Sequence, residues 1–224
     1  MPPMLCGCLT SKSVEQMVAL AKMVEDKVDV FEVRLDYLEK LKHLKKLSEI
    51  NKPLIVTCMP KWEGGRFELG EDERLKLLSL CLEFSEYVTY ELRSKKTSIE
   101  KLVQQASQEG VKLILASHDF ERTPSPKEIC ETVDCSLDLG ADIAKVAYHP
   151  KTHSDVVDLL SVLNHYPKGK VIALSMGAVG RISRILAPSL GSPLTYAKIG
   201  GSQAAGQGQY DVEELAEIRK LLRW

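Results

Sequence analysis

The sequence lacks the features that mark nucleic-acid-binding and membrane proteins. Its 30 Lys and Arg residues are offset by 31 Asp and Glu, so the formal net charge is -1 and no strong positive field is expected. No stretch approaches the roughly 20 apolar residues of a membrane span, and the N-terminal MPPMLCGCLT has no basic segment before a long apolar run. We therefore expect neither a nucleic acid nor a membrane as a partner, and a cytoplasmic protein.

Motifs for metals and nucleotides are also missing. The six cysteines lie mostly inside apolar segments, where free thiols behave as small hydrophobic side chains in a reducing compartment. Cys6-Gly-Cys8 has no second Cys/His pair at a metal-binding spacing, so we expect no metal site. No Gly-x-Gly-x-x-Gly follows the first predicted strand, which argues against a nucleotide-binding open sheet.

Strand-like and helix-like segments alternate along the whole chain, about 25 to 30 residues apart, as βα units do. Helices are predicted after capping sequences that begin at Ser13, Ser125 and Asp211. The 224 residues suffice for one sizeable core. We therefore predict an α/β fold, a single-domain (β/α)8 TIM barrel over residues 1–224. Its predicted strands are Leu5–Thr10, Val30–Asp36, Leu54–Met59, Tyr87–Leu92, Lys112–His118, Ile143–His149, Lys170–Met176 and Leu194–Ile199.

The second predicted strand places charged side chains in the barrel lumen, which is normally apolar. Its apolar residues share one parity and should face the helices, so Glu32 and Arg34 point inward, with Asp36 at the end of the strand. These residues could form a structural ion pair. Because unpaired buried charge costs several kcal/mol, a functional role for Glu32 and Arg34 is the stronger interpretation.

Two further strands direct reactive side chains into the lumen. His118 ends the fifth strand, at the mouth where barrel enzymes keep their chemistry, and histidine transfers protons near neutral pH. Lys145 has the inward parity of the sixth strand among apolar neighbours, a setting that favours the neutral, nucleophilic amine. An ion pair between Lys145 and a lumen carboxylate such as Glu32 is an equally good interpretation of its position.

The ordered set of short motifs resembles one known family, the type I 3-dehydroquinate dehydratases (3-dehydroquinases), over essentially the entire chain. The motifs are Glu32-Val33-Arg34-Leu35-Asp36, Glu63-Gly64-Gly65, Ser117-His118-Asp119-Phe120, Ala144-Lys145-Val146-Ala147, Ser175-Met176-Gly177, Ser183-Arg184 and Gly206-Gln207. Each string is weak alone, whereas their order and spacing together are specific.

The resemblance implies a (β/α)8 barrel that dehydrates 3-dehydroquinate to 3-dehydroshikimate in the shikimate route to aromatic amino acids. Lys145 then corresponds to the amine that forms an imine with the C3 ketone. His118 corresponds to the base at C2 and the acid that helps the C1 hydroxyl leave as water. The resemblance also implies that no metal or organic cofactor is needed. Because members of the family are often dimers, it further predicts a homodimer.

Other matches imply substrate binding. Arg184 would pair with the substrate carboxylate, and Gln207 would bind substrate oxygens when the Gly200–Tyr210 loop closes as a lid. Glu63 lies where the family has a polar residue near the histidine. The remaining residues are the ring-hydroxyl ligands Glu32 and Arg34 and the apolar wall residues Met176 and Tyr196.

Three positions depart from the pattern of enterobacterial members. Met59 lies where many relatives have an arginine that touches substrate, and Thr89 where an aspartate is common. Gln203 replaces the serine of the lid's Ser-Ala-Pro-Gly-Gln string. We hypothesise that a charge pair was exchanged for neutral contacts at Met59 and Thr89.

Two alternatives come from other classes of protein. A class I aldolase or transaldolase-like barrel would share the Schiff-base lysine, and the Gly200-Gly201-Ser202 loop resembles a phosphate-binding loop. A catalytically silent barrel that only binds a small acid, or serves as a scaffold, is the second alternative. The full motif set favours the dehydratase over both.

Overall fold

The fold is a barrel of eight parallel strands, as the sequence predicted. The coordinates are a computed structural model that describes residues 2–224. From β1 to β7 each strand pairs with its neighbour in sequence, and β1 also pairs with β8. The barrel closes where β7 lies beside β8. The strands are β1 Met4–Leu9, β2 Val30–Arg34, β3 Leu54–Thr57, β4 Tyr87–Glu91, β5 Lys112–Asp119, β6 Ile143–Tyr148, β7 Val171–Ser175 and β8 Leu194–Lys198.

The helices between the strands begin at the capping residues predicted from sequence. The Ser13 hydroxyl accepts a hydrogen bond from the Gln16 amide, and Ser125 forms a capping box with Glu128. The helices are α1 Val14–Val24, α2 Glu71–Cys81, α3 Lys96–Glu109, α4 Pro126–Asp138, α5 His153–Ser161, α6 Gly177–Gly180, α7 Ser183–Leu190 and α8 Val212–Leu222. No helix in residues 2–224 combines the length and apolarity needed to cross a membrane.

The prediction of an α-helix after every strand was wrong between β2 and β3. Two 3-10 segments, Leu35–Tyr37 and Leu44–Glu49, make this crossover instead. The leucines of the segment recur at every third position, at 35, 38, 41, 44 and 47, and all contact the core. Residues spaced by three lie on one face of a 3-10 helix, which has three residues per turn. In an α-helix, which has 3.6 residues per turn, the same residues would shift steadily around the helix axis.

The predicted strand β2 also extended two residues too far at its C-terminal end. Asp36 lies in the first 3-10 segment, not in the strand, so its carboxylate turns back toward Arg34. The other strand ends differ from prediction by one or two residues, the usual uncertainty of element boundaries.

The lumen has an apolar lower part and a polar upper part. Side chains of alternate strand residues fill the N-terminal end and close it, among them Val30, Ile55, Ile114, Ile172 and Leu194, all fully buried. One or two steps further along the strands the inward residues are Glu32, Thr57, Thr89 and Lys145. The cavity that these polar residues line opens at the C-terminal ends of the strands, where barrel enzymes carry their sites.

Candidate active site

The cavity at the C-terminal mouth brings together most of the residues predicted from sequence. Eight of them line its wall: Glu32, Arg34, Met59, His118, Lys145, Met176, Arg184 and Tyr196. They come from six different strands and the connections that follow them, so only closure of the barrel makes them neighbours. Glu63 lies just behind this wall, in contact with His118.

Lys145 projects from the middle of β6 and is 8% exposed. Its Nζ lies 3.7 Å from Glu32 Oε1 and 4.0 Å from the centre of the Tyr196 ring. The contact with Glu32 is the ion pair that sequence reasoning offered as the alternative to a nucleophile. At 3.7 Å it leaves the amine without a close hydrogen bond to that carboxylate, so the amine is held in the cavity but remains available.

Glu32 is kept ionised by its surroundings. Burial acts to raise the pKa of this carboxyl, but the positive charges of Lys145 and Arg34 outweigh it, and the pKa is lowered overall. Thr57 Oγ1 donates to Glu32 Oε1 at 3.1 Å, and the Cys8 thiol lies 3.4 Å from Oε2. The carboxylate beside Lys145 can therefore stabilise a cation formed there.

His118 is oriented by Glu63. Glu63 Oε1 accepts from the backbone amide of His118 at 3.0 Å and lies 3.3 Å from its Nδ1. Because a carboxylate can only accept, the proton is on Nδ1 and Nε2 is the basic nitrogen. Burial lowers the pKa of His118 even though Glu63 acts to raise it, so the ring is neutral at neutral pH and able to accept a proton.

Glu63 is held by an arginine that sequence reasoning missed. Arg93 Nε donates to Glu63 Oε2 at 2.9 Å, so the two oxygens of the carboxylate have separate partners. Burial acts to raise the pKa of Glu63, but its bonds to His118 and Arg93 lower it overall. Arg93 follows β4 with a largely exposed side chain, and nothing in the sequence distinguishes it from a surface arginine.

The two glycines after Glu63 allow the loop to lie this close to the cavity. Gly64 has φ +84, and a Cβ there would lie 2.5 Å from the Phe120 ring. A Cβ on Gly65 would lie 2.0 Å from the carbonyl oxygen of Met59. The Glu63-Gly64-Gly65 motif is therefore a steric requirement for packing Glu63 under His118.

Arg184 has the properties of an anion-binding residue. It is 3% exposed, forms no ion pair with the residues that the structure describes, and leaves Nε without a partner among them. Its Nη2 donates to the Gln207 carbonyl at 3.0 Å. Burial lowers the pKa of this guanidinium to about 10, which still leaves it charged at neutral pH. A buried cation without a counter-ion suits a carboxylate ligand.

Arg34 has a partner already. Its Nε and Nη2 bind the two oxygens of Asp36 at 2.8 and 2.7 Å, the structural ion pair considered from sequence. Its Nη1 does not contact Asp36 and lies 3.4 Å from the Ala205 carbonyl of the β8 loop. Met59 contacts the same guanidinium through its sulfur, at 3.5 Å from Nη2.

The structure does not bring the predicted substrate ligands Gln207 and Gln203 into the cavity wall. Both side chains are exposed and outside the cavity wall, and the Gln203 amide oxygen instead accepts from Arg66 at 2.5 Å. The glutamine that lines the cavity is Gln209, which is 8% exposed and contacts Cys8 Sγ through Nε2. The sequence Gly206-Gln207-Gly208-Gln209 contains the Gly-Gln pair twice, and sequence reasoning chose the first copy.

The turn at Gly208 decides which glutamine faces inward. Gly208 has φ +78, and a Cβ there would lie 2.3 Å from the carbonyl oxygen of Gly177. This turn directs Gln209 into the barrel, where its Oε1 accepts from the amides of Ala205 and Gly206 at 2.9 and 3.2 Å. No group of three or more His, Cys, Asp or Glu side chains within residues 2–224 could hold a metal ion.

Comparisons with known proteins agree with this arrangement. A sequence model of the family described as type I 3-dehydroquinase matches residues 5–223. A 3-dehydroquinate dehydratase from Methanocaldococcus jannaschii is 36% identical over 222 residues, which cover 98% of this chain and 99% of that protein.

Solved structures give the same result. A type I 3-dehydroquinate dehydratase from Clostridium difficile with covalently modified comenic acid is similar, with TM-score 0.88, 28% identity, and coverage of 99% of this chain and 92% of that one. A 3-dehydroquinate dehydratase from Geobacillus kaustophilus has TM-score 0.90 and 24% identity, with coverage of 100% and 92%, a likeness of fold.

Proposed function

This chain belongs to the type I 3-dehydroquinase family, and on that premise we propose that Lys145, His118 and Glu63 carry out its reaction through a Schiff base. Its activity is that of a hydro-lyase, the conversion of 3-dehydroquinate to 3-dehydroshikimate and water in the shikimate pathway. Family membership decides against the aldolase-like alternative.

The proposed reaction begins at Lys145. Its neutral amine attacks the C3 carbonyl of 3-dehydroquinate. The resulting carbinolamine takes up a proton from solvent and loses water, which leaves a protonated imine. The ionised carboxylate of Glu32, 3.7 Å from Nζ, stabilises that cation. The imine withdraws electrons from C2, so the C2–H bond becomes acidic.

His118 then moves the proton. Its Nε2 removes the proton from C2, which gives an enamine, and Glu63 stabilises the imidazolium through Nδ1. The electrons of the enamine C2–C3 double bond then form a C1–C2 double bond as the C1–O bond breaks, which restores the protonated imine. His118 transfers its proton to the departing hydroxyl, which leaves as water. Hydrolysis of the conjugated imine releases 3-dehydroshikimate and restores Lys145.

Substrate orientation comes from the opposite side of the cavity. Arg184 binds the C1 carboxylate in place of its contact with the Gln207 carbonyl, and Gln209 lies beside it in the loop after β8. Met176 and Tyr196 form the apolar wall against the ring, and Glu32 and Arg34 face its hydroxyl groups.

The observation that carries this proposal is the register of two neighbouring strands. Ala116 pairs with Lys145 and His118 pairs with Ala147, so the histidine lies one inward step above the lysine on the adjacent strand. Both side chains enter one cavity, as a single base acting beside an imine carbon requires.

Borohydride reduction in the presence of 3-dehydroquinate, followed by peptide mass mapping, tests the proposal. We expect a stable adduct on Lys145 in the unmodified enzyme and none in Lys145→Ala, which should also lose turnover while keeping its fold. An adduct on another lysine, or turnover near the unmodified rate in Lys145→Ala, would refute the Schiff-base assignment.

Two broader expectations belong with this proposal. The free thiols of all six cysteines suit a reducing compartment, which supports a place in the cytoplasm. A homodimer stays a prediction from the family resemblance, and sedimentation velocity would test it.

A further inference from the structure

Arg93 lies outside the cavity and binds the buried carboxylate behind the histidine. It follows β4, its side chain is 59% exposed, and it is not part of the cavity wall. Its Nε and Nη2 donate to Glu63 Oε2 at 2.9 and 2.5 Å. Glu63 is fully buried, and within residues 2–224 no other group donates to this oxygen. A guanidinium that faces solvent therefore holds one side of a carboxylate that does not.

Other contacts fix the position of this guanidinium. Nη2 also donates to the Trp62 carbonyl at 3.1 Å, and Cζ lies 5.6 Å from the centre of the Trp62 ring. The amide of Leu92, the residue before Arg93, donates to the Ala116 carbonyl at 2.8 Å, which ties this end of β4 to the strand that carries His118. Ion pairs between mobile exposed side chains contribute little, whereas a pair with two parallel hydrogen bonds has a defined geometry.

The pair matters because Glu63 has to be both ionised and turned toward His118. A buried carboxylate that loses its donors takes up a proton or turns to find another partner. Bonds to His118 and Arg93 lower the pKa of Glu63 against the effect of burial, so each helps to keep the group charged. Without Arg93, the Nδ1 of His118 would lie beside a carboxyl that is less often ionised and less well oriented.

Titratable and charged groups from four other elements surround Glu63 and His118. They are Glu91 of β4, its partner Arg74 of α2, Lys145 and Tyr148 of β6, and Arg34 of β2. None of these groups hydrogen-bonds to Glu63 in the part of the chain that the structure describes, so they do not replace Arg93. Burial raises the pKa of Glu91 to about 7, and the charge of Glu63 adds to the increase. Since Glu91 titrates near neutral pH, a test has to compare variants with one another.

We propose that Arg93 is a positioning residue of the reaction, which acts through Glu63 by holding its carboxylate against Nδ1 of His118 and balancing its charge. This inference rests on the proposed function, because it takes His118 as the base. Arg93 touches neither the substrate nor the reacting atoms. Trp62, which is half exposed beside it, supports the guanidinium through its ring and its carbonyl.

The direction of the effect on pH dependence follows from the charges. The positive charge of Arg93 offsets part of the negative charge that Glu63 presents to His118. Without Arg93, an ionised Glu63 would stabilise the imidazolium more strongly, and Glu63 itself would take up a proton at higher pH. Both changes raise the pH below which activity is lost. Loss of Glu63 acts the other way, because the imidazolium then has no negative partner.

Steady-state kinetics with 3-dehydroquinate across pH would test this role in Arg93→Met, with Lys96→Met as the matched control. Lys96 begins α3 on the same connection, is exposed, and pairs with Glu100 at 3.9 Å. We expect Arg93→Met to lower kcat roughly tenfold with little change in KM. Its acid limb of kcat/KM should move upward by about 0.5 to 1 in pH. Lys96→Met should match the unmodified enzyme.

Two further variants separate charge and route. Arg93→Lys keeps the charge without the two parallel bonds, so its acid limb should lie between those of the unmodified enzyme and Arg93→Met. Adding Arg93→Met to Glu63→Gln should leave the acid limb where Glu63→Gln alone places it, because the effect passes through Glu63. Circular dichroism would establish that each variant folds, and Arg93→Gln would take the place of Arg93→Met if that variant does not.

An acid limb that is unmoved or lowered in Arg93→Met would overturn the proposal, as would a further shift of the limb in the double variant. Borohydride trapping with 3-dehydroquinate distinguishes this failure from failure of the proposed function. The unmodified enzyme and Arg93→Met should both give the Lys145 adduct. An adduct with an unmoved limb rejects only the role of Arg93, whereas no adduct on Lys145 in the unmodified enzyme rejects the function on which that role rests.

Discussion

One oxygen of Glu63 contacts His118 at two atoms, the backbone amide at 3.0 Å and the ring Nδ1 at 3.3 Å. The backbone contact fixes where the carboxylate lies, and the ring contact fixes which way the imidazole faces. Since Arg93 occupies the second oxygen of Glu63, the carboxylate has little freedom to turn away. The imidazole that we propose as the base is therefore oriented by Glu63 before substrate arrives.

Replacing this carboxylate should slow proton transfer more than substrate binding. We expect Glu63→Gln to lower kcat about tenfold to a hundredfold with little change in KM, because the imidazolium loses its negative partner and the ring its orientation. His118→Ala should go further and accumulate the Lys145 imine, which mass spectrometry after borohydride treatment would detect. A Glu63→Gln variant with normal kcat would show that the contact only supports the fold.

The pH dependence of kcat/KM should report the buried state of His118. Burial lowers the pKa of this histidine, and the base must be neutral, so activity should persist below the free-histidine value of about 6.5 before it falls on the acid side. Glu63 acts in the opposite direction by stabilising the charged ring. Glu63→Gln should therefore move the acid limb to still lower pH, and a limb moved upward would contradict the pairing.

The two glutamines of the β8 loop provide a matched pair of variants. Gln209→Ala should raise KM about tenfold, since it removes a buried amide from the cavity wall and two bonds that shape the loop. Gln207→Ala should have little effect, because its contacts with Arg184 and Gly177 use the backbone carbonyl. The reverse ranking in steady-state kinetics would mean that the first Gly-Gln pair is the functional one.

Met59→Arg would place a second guanidinium in the cavity wall. The new charge would lie beside Arg34, so we expect KM, kcat or both to change. Thermal unfolding measured in parallel would separate a kinetic effect from loss of the fold. Unchanged constants would place residue 59 outside the substrate site.

The glycines of the β3 loop are predicted to differ sharply in their tolerance of alanine. Gly65→Ala should destabilise the protein by about 3 kcal/mol or more, because its Cβ would meet backbone atoms of Met59 that cannot move aside cheaply. An alanine Cβ at Gly70 meets no atom within 4 Å, so Gly70→Ala should cost about 1 kcal/mol or less, from the loss of glycine at the N-cap of α2. Urea unfolding of both variants would test this difference.

Much of the architecture could be predicted because its signals are local. The strands show alternation with a period of two, and the capping serines at positions 13 and 125 mark where helices begin. The inward parity of Glu32, His118 and Lys145 follows from that alternation alone, since a strand has only two faces. The same reasoning failed after β2, where leucines spaced by three form 3-10 segments.

Contacts between segments far apart in the chain could not be predicted from the sequence and are seen only in the folded barrel. The choice between Gln207 and Gln209 depends on a turn at Gly208 packed against Gly177, thirty-one positions earlier in the chain. The closed barrel also decides which side chains meet. It brings Arg93 to Glu63. It leaves one oxygen each of Thr89 and Glu91 without a hydrogen bond to the residues that the structure describes. Which residues face the lumen could be predicted from the sequence, because the side chains of a strand alternate between its two faces. Which of those residues have partners is a property of the closed barrel, since hydrogen bonds between strands depend on distances that no single segment sets.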